Sequence, residues 1–240
     1  MAMRVLLFGA TGMVGQGVLR ECLRAQDVES VQTVGRSPTG QLDPRLTEIV
    51  HRDMMDYRTI EASLQGFDAC FFCLGVSSFG MKEADYTRLT YDLTFAAAGT
   101  LARLNPQMTF IYVSGSGTDS SEKGRSMWAR VKGKTENALK SLPFRAVYLF
   151  RPGVIEPLHG IQSKTRMYRL IYPALKPVMA LMRVLAPKQI VTTEEMGLAM
   201  LALARRGAPE RAVLGPPEIG ALCRTPAGPG DAPPLKPHAG

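Results

Sequence analysis

Short, almost continuous apolar runs alternate along this chain with longer stretches whose apolar positions recur every three or four residues. Val5–Phe8, Val31–Gly35, Leu46–His51, Ala69–Leu74, Thr109–Val113 and Arg145–Phe150 have the composition of strands. Met13–Ala25, Tyr57–Leu64, Lys82–Leu104 and Arg125–Leu142 lie between them and have helical spacing. Strands apolar on both faces, separated by amphipathic helices, predict an α/β fold with a parallel sheet covered on both sides. Right-handed crossovers then make the sheet doubly wound and put ligands at the carboxyl ends of its strands.

The rhythm changes after Arg151. Residues 1–155 read as a nucleotide-binding domain, and 156–215 as a helical substrate-capping region integrated with it. Within the latter, Gln162–Lys188 is basic and apolar and is broken by Pro173, Pro177 and Pro187. Its segment 165–188 is expected to cover the substrate pocket, ahead of a protein-partner surface or membrane contact. Thr193–Arg206 predicts a helix with Thr192 or Thr193 as N-cap and Glu194 and Glu195 in its first turn. Arg211–Leu214 predicts a short strand. Residues 216–240, rich in Pro, Gly and Ala, predict a disordered tail.

The most informative segment is Gly9-Ala10-Thr11-Gly12-Met13-Val14-Gly15, between the first strand and the first helix. Here backbone N–H groups and a helix dipole can meet a pyrophosphate. Gly9 allows the sharp exit from the strand, Gly12 leaves room for phosphates, and Gly15 lets helix and sheet approach closely. This is the Rossmann arrangement. The second strand ends at Gly35-Arg36 with no Asp or Glu, the residues that accept from the ribose 2′-hydroxyl of NAD. A guanidinium there suits a 2′-phosphate, so NADP(H) is expected over NAD(H). Asp53-Met54 follows the third strand, where an acid can meet the adenine amino group; a helix-capping role for Asp53 is the equal alternative. Leu74-Gly75-Val76 closes the fourth strand and is expected to pass close to the dinucleotide.

The chain has 240 residues, 45% of them hydrophobic, which allows a sizeable core. A formal net charge of +8 suits a phosphate-bearing partner. No basic block with interleaved aromatics occurs, which ranks nucleic acid below a cofactor. Cys70 and Cys73 fall three apart on a strand and so face opposite sides, suiting neither a metal nor a disulfide. With Cys22 and Cys223 they read as free thiols of a reducing, cytoplasmic compartment. The first apolar run is too short for a signal peptide, and no stretch has the length and apolarity of a membrane span. His51, His159 and His238 lack metal-ligand spacing, so no metal is expected; His159 is a candidate for the pocket wall.

Gly9–Gly15, Val34–Arg36, Cys73-Leu74-Gly75, Val113-Ser114-Gly115-Ser116, Val131-Lys132-Gly133 and Phe150-Arg151-Pro152-Gly153-Val154 together resemble the short-chain dehydrogenase/reductase superfamily, in its atypical and extended branch. The ordered set GATGMVG, CLG, VKGKTE and FRPGV looks most like the Tat-interacting, NADPH-binding oxidoreductase subgroup and its bacterial relatives. The resemblance runs from about Met1 to Leu214. It implies that Lys132 holds the nicotinamide ribose and that Pro152, Gly153 and Val154 approach the carboxamide. It also implies a Tyr proton donor four residues before the Lys, where this chain has Trp128. An indole N–H donates a hydrogen bond but does not ionise near neutrality. The serine that polarises the substrate carbonyl falls on Gly115 by spacing, with Ser114 and Ser116 on either side.

The expected function is an NADP(H)-binding, short-chain-type oxidoreductase acting on a small carbonyl or alcohol, with Ser114, Ser116, Trp128 and Lys132 as its catalytic set. A catalytically impaired NADPH sensor or protein-interaction module is the alternative, and a nucleotide-sugar-type epimerase or dehydratase the second alternative. The substrate is not legible. A protein partner or homodimer is compatible with the basic C-terminal half.

Overall fold

A computed structural model describes residues 2–161, 189–206 and 210–224. Seven strands form one parallel sheet in the order β3-β2-β1-β4-β5-β6-β9. They are β1 (Met3–Phe8), β2 (Val28–Gly35), β3 (Leu46–Val50), β4 (Ala69–Phe72), β5 (Thr109–Val113), β6 (Ala146–Phe150) and β9 (Glu210–Leu214). Strand order reverses between β1 and β4, so a crevice opens there at the carboxyl edge. Two three-residue strands, β7 (Val154–Glu156) and β8 (Ile190–Thr192), pair in parallel as a separate ribbon.

Strand residues divide between two cores by simple alternation. Val5, Leu7, Phe71, Ile111, Tyr148 and Phe150 face α1 (Met13–Arg24), α5 (Thr193–Arg206) and α6 (Pro216–Arg224). Leu6, Phe8, Phe72, Phe110, Val147 and Leu149 face α3 (Leu93–Leu104), α4 (Met127–Ser141) and the 3-10 helix Arg58–Leu64. Cys70 belongs to the second core while Cys73 packs on the first, the opposite facing expected from their spacing. Each fully buried Leu, Val or Phe contributes about 1.5–3 kcal/mol, so the two cores supply the main driving force.

Helices α1 and α5 lie closer than side chains normally permit. A Cβ on Gly17 would stand 2.6 Å from Thr193, and one on Gly197 2.8 Å from the Glu21 side chain. Thr192 caps α5: its Oγ1 accepts from Glu195 N–H (3.0 Å), and its own N–H donates to the Glu195 carboxylate (2.8 Å), a reciprocal capping box.

Three sequence expectations change. The region 156–215 is not all cap, since α5 packs on α1 and β9 extends the main sheet beside β6. The tail does not begin at 216: α6 runs from Pro216, because proline fits the first turn of a helix, where an N–H would have no partner. The long helix expected over Lys82–Leu104 is α2 (Glu83–Thr87), one π turn (Arg88–Asp92) and then α3. The expected capping segment 165–188 and the tail beyond 224 lie outside the described residues.

Candidate active site

The carboxyl edge brings most of the candidate residues into one row. Cys73 N–H donates to Phe8 O (3.0 Å), Ser114 N–H to Phe150 O (2.8 Å) and Ser116 N–H to Pro152 O (2.8 Å). These bonds carry the strand pairing on into the loops. From β3 to β6 the row therefore reads Asp53, Arg36, Gly9–Gly15, Leu74–Val76, Ser114–Ser116, Pro152–Val154. Five strand spacings make it roughly 24 Å long.

The glycine turn sits at the reversal point. Gly9 has φ +79°, and a Cβ there would lie 2.7 Å from the Cys73 carbonyl carbon. A Cβ on Gly15 would lie 2.1 Å from Gly9 O, so α1 starts in contact with the end of β1. Gly12 is the N-cap and donates its N–H to Gly9 O (2.9 Å). No side chain caps α1 and no acid occupies its first turn. The amino end of the helix thus keeps its positive dipole field and free N–H groups. Gly75 is exposed, and a Cβ there would meet nothing within 4 Å.

On the β5–β6 side, Trp128 and Lys132 stand one turn apart on α4 and share a face. A Cβ on Gly133 would fall 1.7 Å from Asp119 O, so α4 lies directly on the loop after β5. That contact lets Lys132 Nζ donate to Ser114 O (3.0 Å) and sit 5.7 Å over the Tyr112 ring. Burial strips water from the ammonium and lowers its pKa to about 8, an effect partly offset by the nearby Glu136 charge. The Trp128 ring lies against Gly117, 3.3 Å from where a Cβ would be.

Sequence reasoning missed a buried ion pair beneath this site. The Glu136 carboxylate is fully buried and receives Arg151 Nε (3.0 and 3.2 Å) and Arg151 Nη2. Ser114 Oγ donates to the same carboxylate at 2.5 Å. Arg151 also donates to Ser120 Oγ at 2.5 Å. The available signal was an acid on the core-facing side of α4, between Thr135 and Leu139, since a buried carboxylate needs a cation. The Ser114 proton is therefore engaged. The Ser116 side chain is exposed and makes no hydrogen bond among the described residues.

The remaining candidates are placed as follows. Arg36 is exposed just past β2. Asp53 accepts Met55 N–H (3.0 Å) as a local turn, while Met54 is buried in the core beside Tyr57. Val14 packs on the first core, whereas Thr11 and Met13 are half-buried at the turn. Tyr86 and Tyr112 are both buried, and burial raises both phenol pKa values, so neither offers a hydroxyl in place of the missing one. His159 is not in the row. It pairs with Glu194 beside a groove of about 530 Å³ between α1 and α5, where Arg20 and Arg205 also lie. Among the described residues no cluster of His, Cys, Asp or Glu is arranged to hold a metal, and no helix is long and apolar enough to cross a membrane.

No protein-family model matches the chain. Among curated proteins it is 27% identical over 158 residues to the mitochondrial protein FMP52-2 of Scheffersomyces stipitis, covering 65% of this chain and 67% of that protein. It is 27% identical over 154 residues to HTATIP2 of Rattus norvegicus, covering 63% of this chain and 62% of that protein. The chain is similar in sequence to these two proteins over a little less than two thirds of its length. Among solved structures, the Bordetella bronchiseptica enzyme WbmF in complex with NAD+ superposes with a TM-score of 0.65 at 15% identity, covering 92% of this chain and 76% of that one. A short chain dehydrogenase family protein from Francisella tularensis gives 0.62 at 14% identity, covering 94% and 100%. The fold is thus that of the short-chain dehydrogenase/reductases. The cytoplasmic location expected from the cysteines is corrected by these relatives. The FMP52 proteins are named as mitochondrial, and free thiols do not distinguish one reducing compartment from another.

Proposed function

We propose that this protein is an NADP(H)-binding oxidoreductase of the short-chain type, acting on a small carbonyl or alcohol. The observation that carries the reading is the uncapped, acid-free amino end of α1, held at the reversal point of the sheet by Gly9 and Gly15. The residues fit a dinucleotide. Amides of Met13 and Val14 receive the diphosphate, Gly12 and Gly75 leave room beside it, and Arg36 takes the adenosine 2′-phosphate. Lys132 has spent one N–H on Ser114 O and keeps two for the nicotinamide ribose. Pro152, Gly153 and Val154 meet the carboxamide end. The bound nicotinamide supplies or accepts hydride.

Ser116 orients the substrate oxygen, since the Ser114 hydroxyl already serves Glu136. Trp128 contributes an apolar wall and one N–H donor, but it does not release a proton. The exposed side chains of Val76 and Phe79 on the loop after β4 favour an apolar substrate. The burial of both nearby phenols supports a second reading, a nicotinamide-nucleotide sensor that has lost proton transfer.

Trp128 is the only tryptophan, so its fluorescence reports on the site directly. Titration is expected to show quenching by NADPH at lower concentration than by NADH. Equal affinities, or a preference for NADH, would remove the NADP assignment. No response to either, confirmed by calorimetry, would remove the whole reading. Turnover of simple aldehydes and ketones separates the enzyme from the sensor.

A further inference from the structure

Among the described residues, the carboxyl edge carries another guanidinium without an ion pair, that of Arg52, which the glycine-turn and β2 motifs do not include. Arg52 lies two residues past β3, as Arg36 lies one residue past β2. The two strand ends are neighbours, with Gly35 paired to Val50. Pairing continues outward, because His51 N–H donates to Gly35 O at 2.8 Å. The loop carrying Arg36 is also tied back over β3, since Thr39 N–H donates to the Glu48 carboxylate at 2.6 Å. Both arginines are exposed, and neither makes a hydrogen bond or ion pair among the described residues. Arg58, Arg103 and Arg205, by contrast, each lean on a carboxylate. Nearby acids are engaged elsewhere. Glu48 holds Thr39, Asp53 accepts Met55 N–H, and Asp56 binds Arg58. Two exposed cations on neighbouring strand exits, neither in an ion pair among the described residues, suit a doubly charged anion.

We propose that Arg52 and Arg36 form a two-sided clamp for one phosphomonoester dianion, the adenosine 2′-phosphate, so that Arg52 shares in setting NADP over NAD. This rests on the nucleotide reading above. A phosphomonoester carries a charge of about −1.5 to −2 near pH 7 and offers three strong acceptor oxygens, enough for two guanidinium forks. A single arginine reads the group from one side. A second, arriving from β3, closes the other side, and with Arg36 it frames the end of the row that Gly12 and Lys132 do not reach.

The test uses the full chain and two probes that lack nicotinamide, adenosine 2′,5′-bisphosphate and 5′-AMP, together with NADPH and NADH, in calorimetric titrations. Arg52→Ala is expected to weaken the bisphosphate and NADPH by about tenfold and to leave 5′-AMP and NADH unchanged. Arg36→Ala should do the same, and Arg52→Lys should recover part of the loss. The salt dependence of NADPH binding should flatten in Arg52→Ala, as one charge contact is lost. Unchanged NADPH affinity in Arg52→Ala overturns the clamp while leaving the nucleotide reading intact. Equal loss for NADPH and NADH also overturns it, because the residue then serves the shared part of the ligand. A wild-type protein that binds neither dinucleotide overturns both readings.

Discussion

Removing Arg151 should be among the costliest single changes near the site. In Arg151→Met the Glu136 carboxylate, fully buried, loses every hydrogen bond from the guanidinium and retains only the Ser114 hydroxyl. Breaking a buried pair from one side costs about 3–5 kcal/mol, because the remaining charge keeps its desolvation penalty without its partner. Glu136→Leu should cost less, about 1–3 kcal/mol, since Arg151 is 21% exposed and can turn toward water. The double variant removes both charges and should come close to the better single variant, so the two costs do not add. Urea unfolding followed by circular dichroism measures each quantity. A loss below about 1 kcal/mol for Arg151→Met, or strictly additive single costs, would falsify the view of this pair as a coupled buried unit.

Three further outcomes are expected. Gly15→Ala places a methyl 2.1 Å from Gly9 O and must push the glycine turn open, so NADPH and NADH affinities should both fall more than tenfold, with a stability loss of about 1–3 kcal/mol; wild-type binding in calorimetry would contradict this. The lowered pKa of Lys132, about 8 when folded, means that folding carries a full desolvation cost below pH 8, relieved as pH rises toward the unfolded value of 10.5. The stability of wild type relative to Lys132→Met should therefore climb between pH 8 and 10.5, and a flat difference in urea midpoints would refute the assignment. Trp128→Tyr should raise any carbonyl reductase activity several-fold by restoring an ionisable phenol, and a variant that folds and binds NADPH but loses activity would show that the indole itself is used.

The sheet was readable because its strands are buried on both faces, which forces unbroken apolar runs such as Ala69–Phe72 and Ala146–Phe150. The glycine turn was readable because its spacing is set by backbone approach at Gly9 and Gly15, which no other residue permits. Strands β7 and β8 were hidden because three residues give too little alternation. Helix α6 was hidden because Pro216 and Pro217 look like breakers until their place in a first turn is known. The Glu136–Arg151 pair joins residues 15 apart through a helix face and a strand exit, so only the sheet topology brings them together. The Arg36–Arg52 neighbourhood depends likewise on the β2–β3 register, which the sequence does not state.

The α1–α5 contact has a consequence for how the chain comes to life on the ribosome. Gly17 and Gly197 lie far apart in the sequence, yet each helix presses its partner at those points. Until residues 193–206 have emerged, the flank of α1 carrying Val18 and Cys22 has nothing to dock on and remains exposed to solvent. Closure of so long a loop is slow, and uncovered apolar surface invites aggregation in the interval. A nascent chain halted before this segment should therefore engage holding chaperones, and its phosphate-binding turn should mature only once residues 193–206 have emerged.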